Sequence, residues 1–426
     1  MNFLKTPEIK QLFKVFRECG AEARLVGGCV RDVLIGIKTA DIDVAVNVPP
    51  EQSKHILEQV GIKVIPTGID HGTITAVINK IPFQITSLRQ DWQSFGRHAK
   101  VIFGTDWLED AKRRDFTMNA IYLDESDNFY DPFNGKQDLE KGIVRFIGEP
   151  RERIKEDYLR ILRYYRFLAY YGKDVPEPIK ELSELKEGLL ALSKERIQNE
   201  FFKLLESKNP KTSLSLMERD GVLETLFGSS FDLEKLFSVI ELELLLTNTT
   251  PPSSTTLSSS DLFRGSVDSR NKCENDEVMT RIKSSLFRRL NALFGTDSKV
   301  YEKSFCLSRK QKQYLAQLDK ALSNSDRRHV YYYFGSDIFL DWMLFRGVEK
   351  GLSIVDFQNE IKWVSELQRP YFPLSGADFL AAGFMPGSSL GDILKRGEVW
   401  WIEHDFQPTK EACLEYCLTL PLMLLG

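Results

Sequence analysis

Cysteine is sparse and scattered in this 426-residue chain: Cys19, Cys29, Cys273, Cys306, Cys413 and Cys417, with no CxxC pair. That excludes a disulfide framework and a zinc-ribbon site, and it fits a reducing compartment, the cytoplasm. Cys413 and Cys417 can share a helix face, where two small packed side chains are the plain reading. No stretch reaches the roughly 18 apolar residues of a membrane span. The apolar end, Leu418 to Leu425, is too short for one and reads as a packed tail. Met1 to Gly20 is mixed and charged, without the apolar core of a signal peptide. An excess of positive charge is also missing. The formal net charge of −4 excludes a uniformly basic nucleic-acid binder, so any nucleic-acid partner needs a local basic surface. The C-terminal half has no HD-type His-Asp signature, so no attached phosphohydrolase is expected, and no obligatory protein partner or membrane partner is evident.

What is present is an ordinary globular composition, 42% hydrophobic and 28% charged. The length suggests about two to four domains. Residues 7–20 carry an apolar stripe, Leu12, Phe13, Val15 and Phe16, that predicts a helix. Arg24 to Gly28 reads as a strand entering a tight turn, and Arg31 to Ile35 as a short helix ended by Gly36. Asp41 to Val46 alternates as a strand. Pro49-Pro50-Glu51 opens a helix, and Thr73–Ile78 with Ile81–Leu88 form a hairpin through Asn79-Lys80. Val101 to Phe103 is a further strand. From about residue 150 the pattern turns helical: Glu156–Tyr171 as one long segment, then Ser193–Leu205 with Ser193 as N-cap. Later helices are predicted at 232–246, 277–294, 308–323, 336–347 and 353–367. Between them, Thr247 to about Asn275 is a Ser/Thr-rich tract with little to bury and no assigned chemistry.

Asp41-Ile42-Asp43 concentrates the chemistry. Two carboxylates two residues apart on a strand point to one face, where hard oxygens can grip divalent ions. Gly27-Gly28, shortly upstream, allows close approach of backbone to phosphates. Metal pair plus phosphate cradle suggests nucleotidyl transfer. An isolated DxD is more often a solvated strand edge, and the surroundings decide.

Those surroundings form five signatures. Leu25 to Val46 resembles the head motif of the class II tRNA nucleotidyltransferases and bacterial poly(A) polymerases, within the polymerase-beta superfamily. Gly27, Gly28, Val30, Arg31, Asp32, Gly36, Asp41 and Asp43 stand where that family places them. Arg113-Arg114-Asp115-Phe116-Thr117-Met118-Asn119-Ala120 resembles the second signature, and Asp131-Pro132-Phe133-Asn134-Gly135 the third. Glu156-Asp157-Tyr158-Leu159-Arg160-Ile161-Leu162-Arg163 resembles the fourth; Ser193 to Ile197 with Glu200 resembles the fifth.

The resemblance implies an α+β fold: a nucleotidyltransferase head (1–140) with a mixed, mostly antiparallel sheet, then an all-helical neck, body and tail. The neck (141–215) would select the base. The body and tail (216–426), with a flexible insertion at about 247–276, would bind tRNA. Asp41 and Asp43 are the implied catalytic residues and ligands of two Mg2+ ions. Gly27, Gly28, Arg31, Arg113, Arg114, Asp115 and Asn119 are implied on the nucleotide. Guanidinium groups suit its phosphates because they bond them bidentately. Asp157 and Arg160 would present a Watson–Crick-like edge to CTP or ATP, with Arg163 bracing them. Read alone, EDxxR is an intrahelical salt-bridge ladder, with Glu156, Arg160, Arg163 and Phe167 on one helix face and Asp157 one turn from Arg160.

Leu88-Arg89-Gln90-Asp91 through Lys100 corresponds to the family's flexible loop, whose presence implies the switch from adding C to adding A. His98 within it reads as a loop or RNA-contact residue. Phe83-Gln84-Ile85-Thr86 departs from the family, where a glutamate is usual at the Gln84 position. If Gln84 faces the ions, metal preference changes; if it faces away, the swap is nearly silent, and the intact Asp41 and Asp43 favour the quieter effect. The C-terminal half resembles the family more loosely, at Arg281–Ser285 and at Phe372–Gly376 with Asp378, Gly383, Pro386, Gly387 and Gly391. Trp400-Trp401 reads as helix packing rather than base stacking. The implied function is CCA addition to tRNA. Poly(A) polymerase, a CC-adding or A-adding enzyme, and a non-catalytic RNA-binding protein stay as alternatives. The modest basic content favours the tRNA enzyme.

Overall fold

The computed structural model describes residues 6–37, 41–69, 72–93, 100–248, 285–295, 298–366, 370–382 and 388–420. Residues 94–99 with His98, the tract from 249, Arg281 to Ser284, Gly383, Pro386, Gly387 and the tail beyond Leu420 lie outside them. The chain forms two compact units, residues 1–229 and 230–426.

The first unit opens with α1 (Pro7–Glu18), whose Thr6 side chain accepts from the Ile9 amide and whose apolar stripe is buried. The strands are β1 (Ala23–Val26), β2 (Ile42–Val46), β3 (Lys63–Gly68), β4 (Thr73–Ile78), β5 (Ile81–Ser87), β6 (Arg89–Gln93), β7 (Lys100–Phe103), β8 (Tyr122–Leu123) and β9 (Phe129–Tyr130). Seven build one sheet in the order β3-β4-β5-β2-β1-β8-β9, while β6 and β7 pair by themselves. Every pairing in the large sheet is antiparallel except β2 with β5. The β4–β5 hairpin turns at Asn79 and Lys80, both at positive φ (49° and 69°), as a two-residue I′ turn requires.

One sheet face is the core. Ile42, Val44, Val46, Ile74, Ala76, Ile78, Phe83 and Ile85 are buried with residues of α1 and of α3 (Pro50–Gln59). Strand alternation puts Asp43, Thr75 and Gln84 on the other face. The helix α2 (Gly28–Leu34) follows β1, and α4 (Trp107–Lys112) and α5 (Gly135–Lys141) flank the second signature. Then come α6 (Pro150–Glu156), α7 (Leu159–Tyr171), α8 (Lys180–Glu184), α9 (Lys194–Glu206), α10 (Lys211–Arg219) and α11 (Val222–Phe227). The single helix expected over 156–171 is two. Asp157 is extended (φ −154°, ψ 104°), and its side chain accepts from the Leu159 amide, ending one helix and starting the next. Ser193 does precede α9, but its side chain makes no capping bond.

The second unit is helical throughout its described residues: α12 (Leu233–Asn248), α13 (Leu286–Phe294), α14 (Ser298–Ser304), α15 (Arg309–Leu322), α16 (Arg327–Lys350), α17 (Ile354–Glu366), α18 (Gly376–Ala381), α19 (Ser388–Glu403) and α20 (Lys410–Thr419). Gly335, at φ 80°, kinks α16. Residues 247 and 248, expected in the low-complexity tract, belong to α12. Trp401 is buried against Tyr332, Phe372 and Phe406, and Trp400 stacks on Tyr416, so this pair packs helices. Cys413 and Cys417 are buried free thiols in the same cluster.

Three helices of this unit meet over buried charge. Glu243 of α12 accepts from Arg288 and Arg289 of α13, and Asp341 of α16 accepts from Arg288 and from the Tyr314 hydroxyl. All four charged side chains are at most 3% exposed. Removing one acid from such a network leaves cations buried without their carboxylate. Glu243→Ala is therefore expected to destabilise the protein by about 3–5 kcal/mol. Urea unfolding followed by tryptophan fluorescence checks this, since Trp342, Trp363, Trp400 and Trp401 all belong to this unit.

Candidate active site

The turn after β1 sets one wall of the site. Gly27 has φ +71°, and a Cβ there would lie 3.4 Å from Arg114 Nη1, so glycine serves both backbone and space. One turn into α2, Arg31 is nearly buried beside the rings of Tyr171 (4.4 Å) and Phe167 (5.1 Å). The Tyr171 hydroxyl donates to Asp32 Oδ1 at 3.0 Å, and burial pushes that phenol up to about 12.

The second signature is held from three sides. Asp110 of α4 accepts from Arg113 (Nε, 2.8 Å), from Arg114 (Nη2, 3.1 Å) and from the Tyr122 hydroxyl (2.7 Å). Burial pushes the Asp110 carboxyl up, but Arg114, Arg113 and Tyr122 outweigh it and hold it below the usual range. Arg153 of α6 donates to the Arg113 and Arg114 carbonyls (2.8 and 3.0 Å). From below, Asp138 accepts from the Thr117 hydroxyl at 2.7 Å. A Cβ on Gly135 would meet Thr117 O at 2.1 Å, so only glycine lets α5 close on this turn. Asp131 accepts from the Gly135 and Lys136 amides (2.7 and 2.9 Å). The third signature thus holds the second in place.

A continuous chain of contacts crosses the site. Arg31 donates to Asn119 Oδ1, and Asn119 Nδ2 donates to Asp115 Oδ1 at 2.9 Å. Arg163 of α7 donates to Asp115 Oδ2 (2.7 Å) and to Glu200 of α9 (3.3 Å), which also takes Arg166 Nε at 2.5 Å. Burial pushes Asp115 up, yet Arg163 and Asn119 hold its carboxyl below the usual range.

Asp157 and Arg160, the pair expected at the base, are not arranged as the helix spacing suggests. Asp157 sits in the α6–α7 break and accepts from Arg196 Nη2 at 2.8 Å. Arg160 donates to Glu156 (2.6 Å) and to the Arg153 carbonyl (2.7 Å). The Asp157–Arg160 ladder gives way because Asp157 is spent on the helix start and on α9. Arg163 braces Asp115 and Glu200 instead of that pair.

These groups surround one cavity of about 580 Å³, lined by Gly27, Gly28, Arg31, Asp43, Arg89, Arg113, Arg114, Asp115, Asn119, Asp157, Arg160, Arg163, Arg166 and Phe167. Of the expected site residues, all but Asp41 line it. Asp41 is exposed just before β2, on the Asp43 side of the strand. Burial pushes the Asp43 carboxyl above the usual range, Asp41 adds to this, and Arg114 and Arg31 oppose it. Arg89, Arg166 and Phe167 were not among the expected site residues. Arg166 follows Arg163 at helical spacing, and that was the signal available for it. Gln84 lies opposite Asp43 in the β2–β5 register and is exposed on the same sheet face, so it does not face away from Asp43.

The family described as "Poly A polymerase head domain" matches residues 23–145, and that described as "Probable RNA and SrmB- binding site of polymerase A" matches residues 173–231. The "CCA tRNA nucleotidyltransferase 1, mitochondrial" of Danio rerio is 33% identical, over 96% of this chain and 92% of that protein. The CCA-adding enzyme of Ligilactobacillus salivarius is 31% identical, over 95% and 94%. In fold, the chain resembles the Bacillus stearothermophilus CCA-adding enzyme in complex with CTP, with a TM-score of 0.72 at 22% identity over 97% of each chain. It also resembles the Thermotoga maritima CCA-adding enzyme complexed with tRNA, with a TM-score of 0.64 at 20% identity over 97% and 95%.

Asp110→Asn removes the charge that orients two cavity arginines. It is expected to destabilise the protein by about 3–5 kcal/mol near neutral pH. Because the folded carboxyl lies below its unfolded value of about 3.9, its contribution is present above that pH and is lost as pH falls through the folded value. The parent–variant gap in urea midpoints should therefore shrink in acid; a gap that is constant from pH 7 to 3 contradicts the assignment.

Proposed function

We propose, from the premise that this chain belongs to the CCA-adding tRNA nucleotidyltransferase family, that it extends tRNA 3′ ends with C, C and A from CTP and ATP without a nucleic-acid template. The observation that carries this is the cavity itself. Seven of its lining side chains are arginines against three aspartates, which suits a polyanionic triphosphate, and the candidate base-reading side chains open onto the same space.

Arg114 and Arg31, beside the Gly27-Gly28 turn, are assigned to the phosphates, with Arg113 and Arg89 at the margin. Asp115, Asn119 and Arg163 act as positioning residues, because their polar atoms are taken up by one another. Asp157 offers an acceptor and Arg160 a donor to the edge of C or A. Each is already restrained by a protein partner, which limits the ordering that binding requires. Asp41 and Asp43 fit divalent ions, being hard oxygen donors on one face, with Asp43 half-buried at the cavity wall. Two Mg2+ ions held there would supply charge neutralisation and activation of the RNA 3′ hydroxyl. In the transfer, the 3′ oxygen bonds the α-phosphorus, the α–β phosphoanhydride bond breaks, and pyrophosphate leaves.

By the same reading, residues 1–140 are the catalytic head, 141–215 the base-selecting neck, and 216–426 the tRNA-binding body and tail. There, tRNA would be held through phosphates and shape. The described residues contain no helix long and apolar enough to cross a membrane. The scattered cysteines fit a reducing compartment, of which the cytoplasm is the one proposed.

Purified protein with tRNA lacking CCA, or ending in C or CC, is expected to complete CCA with CTP and ATP and then stop. Long A tails on unstructured RNA would replace this reading with poly(A) synthesis. Asp43→Ala should lower incorporation by at least about 10³-fold. Asp157→Ala and Arg160→Ala should raise misincorporation of UTP and GTP while tRNA affinity, read by filter binding, holds within about threefold of the parent.

A further inference from the structure

Arg31 is reached from α7 along two routes, one to each edge of its guanidinium. Arg163, Phe167 and Tyr171 follow one another at i, i+4 and i+8 and so share one face of that helix. From Arg163, the contacts through Asp115 and Asn119 end on Arg31 Nη1. From Tyr171, a second route runs through Asp32. The Tyr171 hydroxyl donates to Asp32 Oδ1 at 3.0 Å, and that same oxygen accepts from Arg31 Nε at 3.0 Å and lies 2.9 Å from Nη2. The Tyr171 ring lies against the guanidinium, 4.4 Å from centroid to central carbon, and stacks on Phe167 at 5.6 Å. Burial pushes the phenol up to about 12, so the hydroxyl keeps its proton at neutral pH and can donate to a carboxylate.

The two halves of the tyrosine act differently. The ring covers one face of the guanidinium and so restrains its plane. The hydroxyl acts on Arg31 only by way of Asp32. Arg31 and Asp32 are neighbours in α2, and adjacent helical residues do not face each other, so the helix does not impose their bond. The last torsion of an aspartate is also broad. Asp32 therefore gives Arg31 a fixed partner only when another group fixes the carboxylate, and the Tyr171 hydroxyl is placed to do that. We propose that Tyr171 is a positioning residue for the phosphate end of the nucleotide, holding Asp32 so that Asp32 holds the guanidinium of Arg31 at the cavity. This rests on the assignment of Arg31 to the phosphates made above. It adds that the helix whose first turn carries Arg160, assigned to the base, acts through its last residue on the phosphates.

Tyr171→Phe keeps the ring and deletes the hydroxyl. Calorimetric titration of the full-length protein with inorganic tripolyphosphate, in excess Mg2+, reads the phosphate end without turnover. Affinity for tripolyphosphate is expected to fall about fivefold, the size of one hydrogen bond, and affinity for CTP by the same factor. In an Asp32→Ala background the same substitution should change it by less than about twofold, because the route is already cut. Tyr170→Phe, which deletes the neighbouring hydroxyl that donates to the Lys203 carbonyl, is the control and should leave both affinities within about twofold. The base end is read by misincorporation of UTP and GTP into tRNA ending in CC, which Tyr171→Phe should leave unchanged. A general loosening of α7 would reach Arg160 and raise it, so a rise overturns the proposal. Unchanged tripolyphosphate affinity in Tyr171→Phe, or an equal loss in Tyr170→Phe, also overturns it, and CCA addition by the parent then leaves the functional reading standing. If the parent adds nothing to tRNA yet Tyr171→Phe weakens tripolyphosphate binding, the functional reading fails and the positioning role stands.

Discussion

Asp115 is a buried carboxylate placed where the head sheet meets the first long helices, and its charge organises the site. One oxygen takes Asn119, which in turn orients Arg31 on α2; the other takes Arg163 on α7, which reaches Glu200 on α9. Three helices and the turn of the second signature are thereby linked through Asp115, with Glu200 as the second anion on Arg163. An uncompensated buried charge is strongly unfavourable, so these elements hold their spacing together or lose it together. The aromatic packing of Phe116 against Phe146, Tyr164 and Phe167 supplies the apolar half of the same junction.

The same economy recurs around the cavity. Arg113 and Arg114 are oriented by Asp110, Arg160 by Glu156, Arg166 by Glu200, and Asp157 by Arg196. Each guanidinium has five N–H donors in a fixed fork, so an anchored arginine still has donors to present to a ligand. Such groups are ordered before anything binds, which favours a site that must stabilise developing charge without rearranging. It also shows how a chain with net charge −4 can hold an arginine-rich cavity: seven arginines are gathered in one place, beside the acids that orient them.

Much of this was legible in the sequence because local rules and site chemistry coincide there. The Asn79-Lys80 hairpin, the α1 stripe and the alternation of β2 follow from short-range pattern. Most of the cavity lining falls within the first, second and fourth signatures. What was not legible depended on partners distant in sequence. The break at Asp157 is hidden because the surrounding residues keep helical periodicity, and only the Leu159 amide and Arg196 show where the aspartate is used. The short strands β8 and β9 carry too few residues for alternation to register. Arg166 looks like any helix-surface arginine until Glu200 and Phe167 are seen beside it. The facing of Gln84 is a matter of strand register, which pattern alone leaves open between two outcomes.

A protein edge that selects C or A must discriminate by hydrogen-bond pattern, and such discrimination is sharp only if a wrong base leaves buried polar groups unsatisfied. On the proposed reading, the partners of Asp157 and Arg160 bear directly on this. Arg196 and Glu156 stabilise the selecting pair in the absence of a base, so a mismatched base that disrupts those contacts gains nothing in return. A matching base adds its bonds to the pair without dismantling the support. The helix break serves the same end. Were residues 156–171 one continuous helix, Asp157 would project from its side within one turn of Arg160, and the two would pair with each other. Extended backbone at Asp157 separates acceptor from donor and gives each its own anchor, so the edge can present both polarities at once.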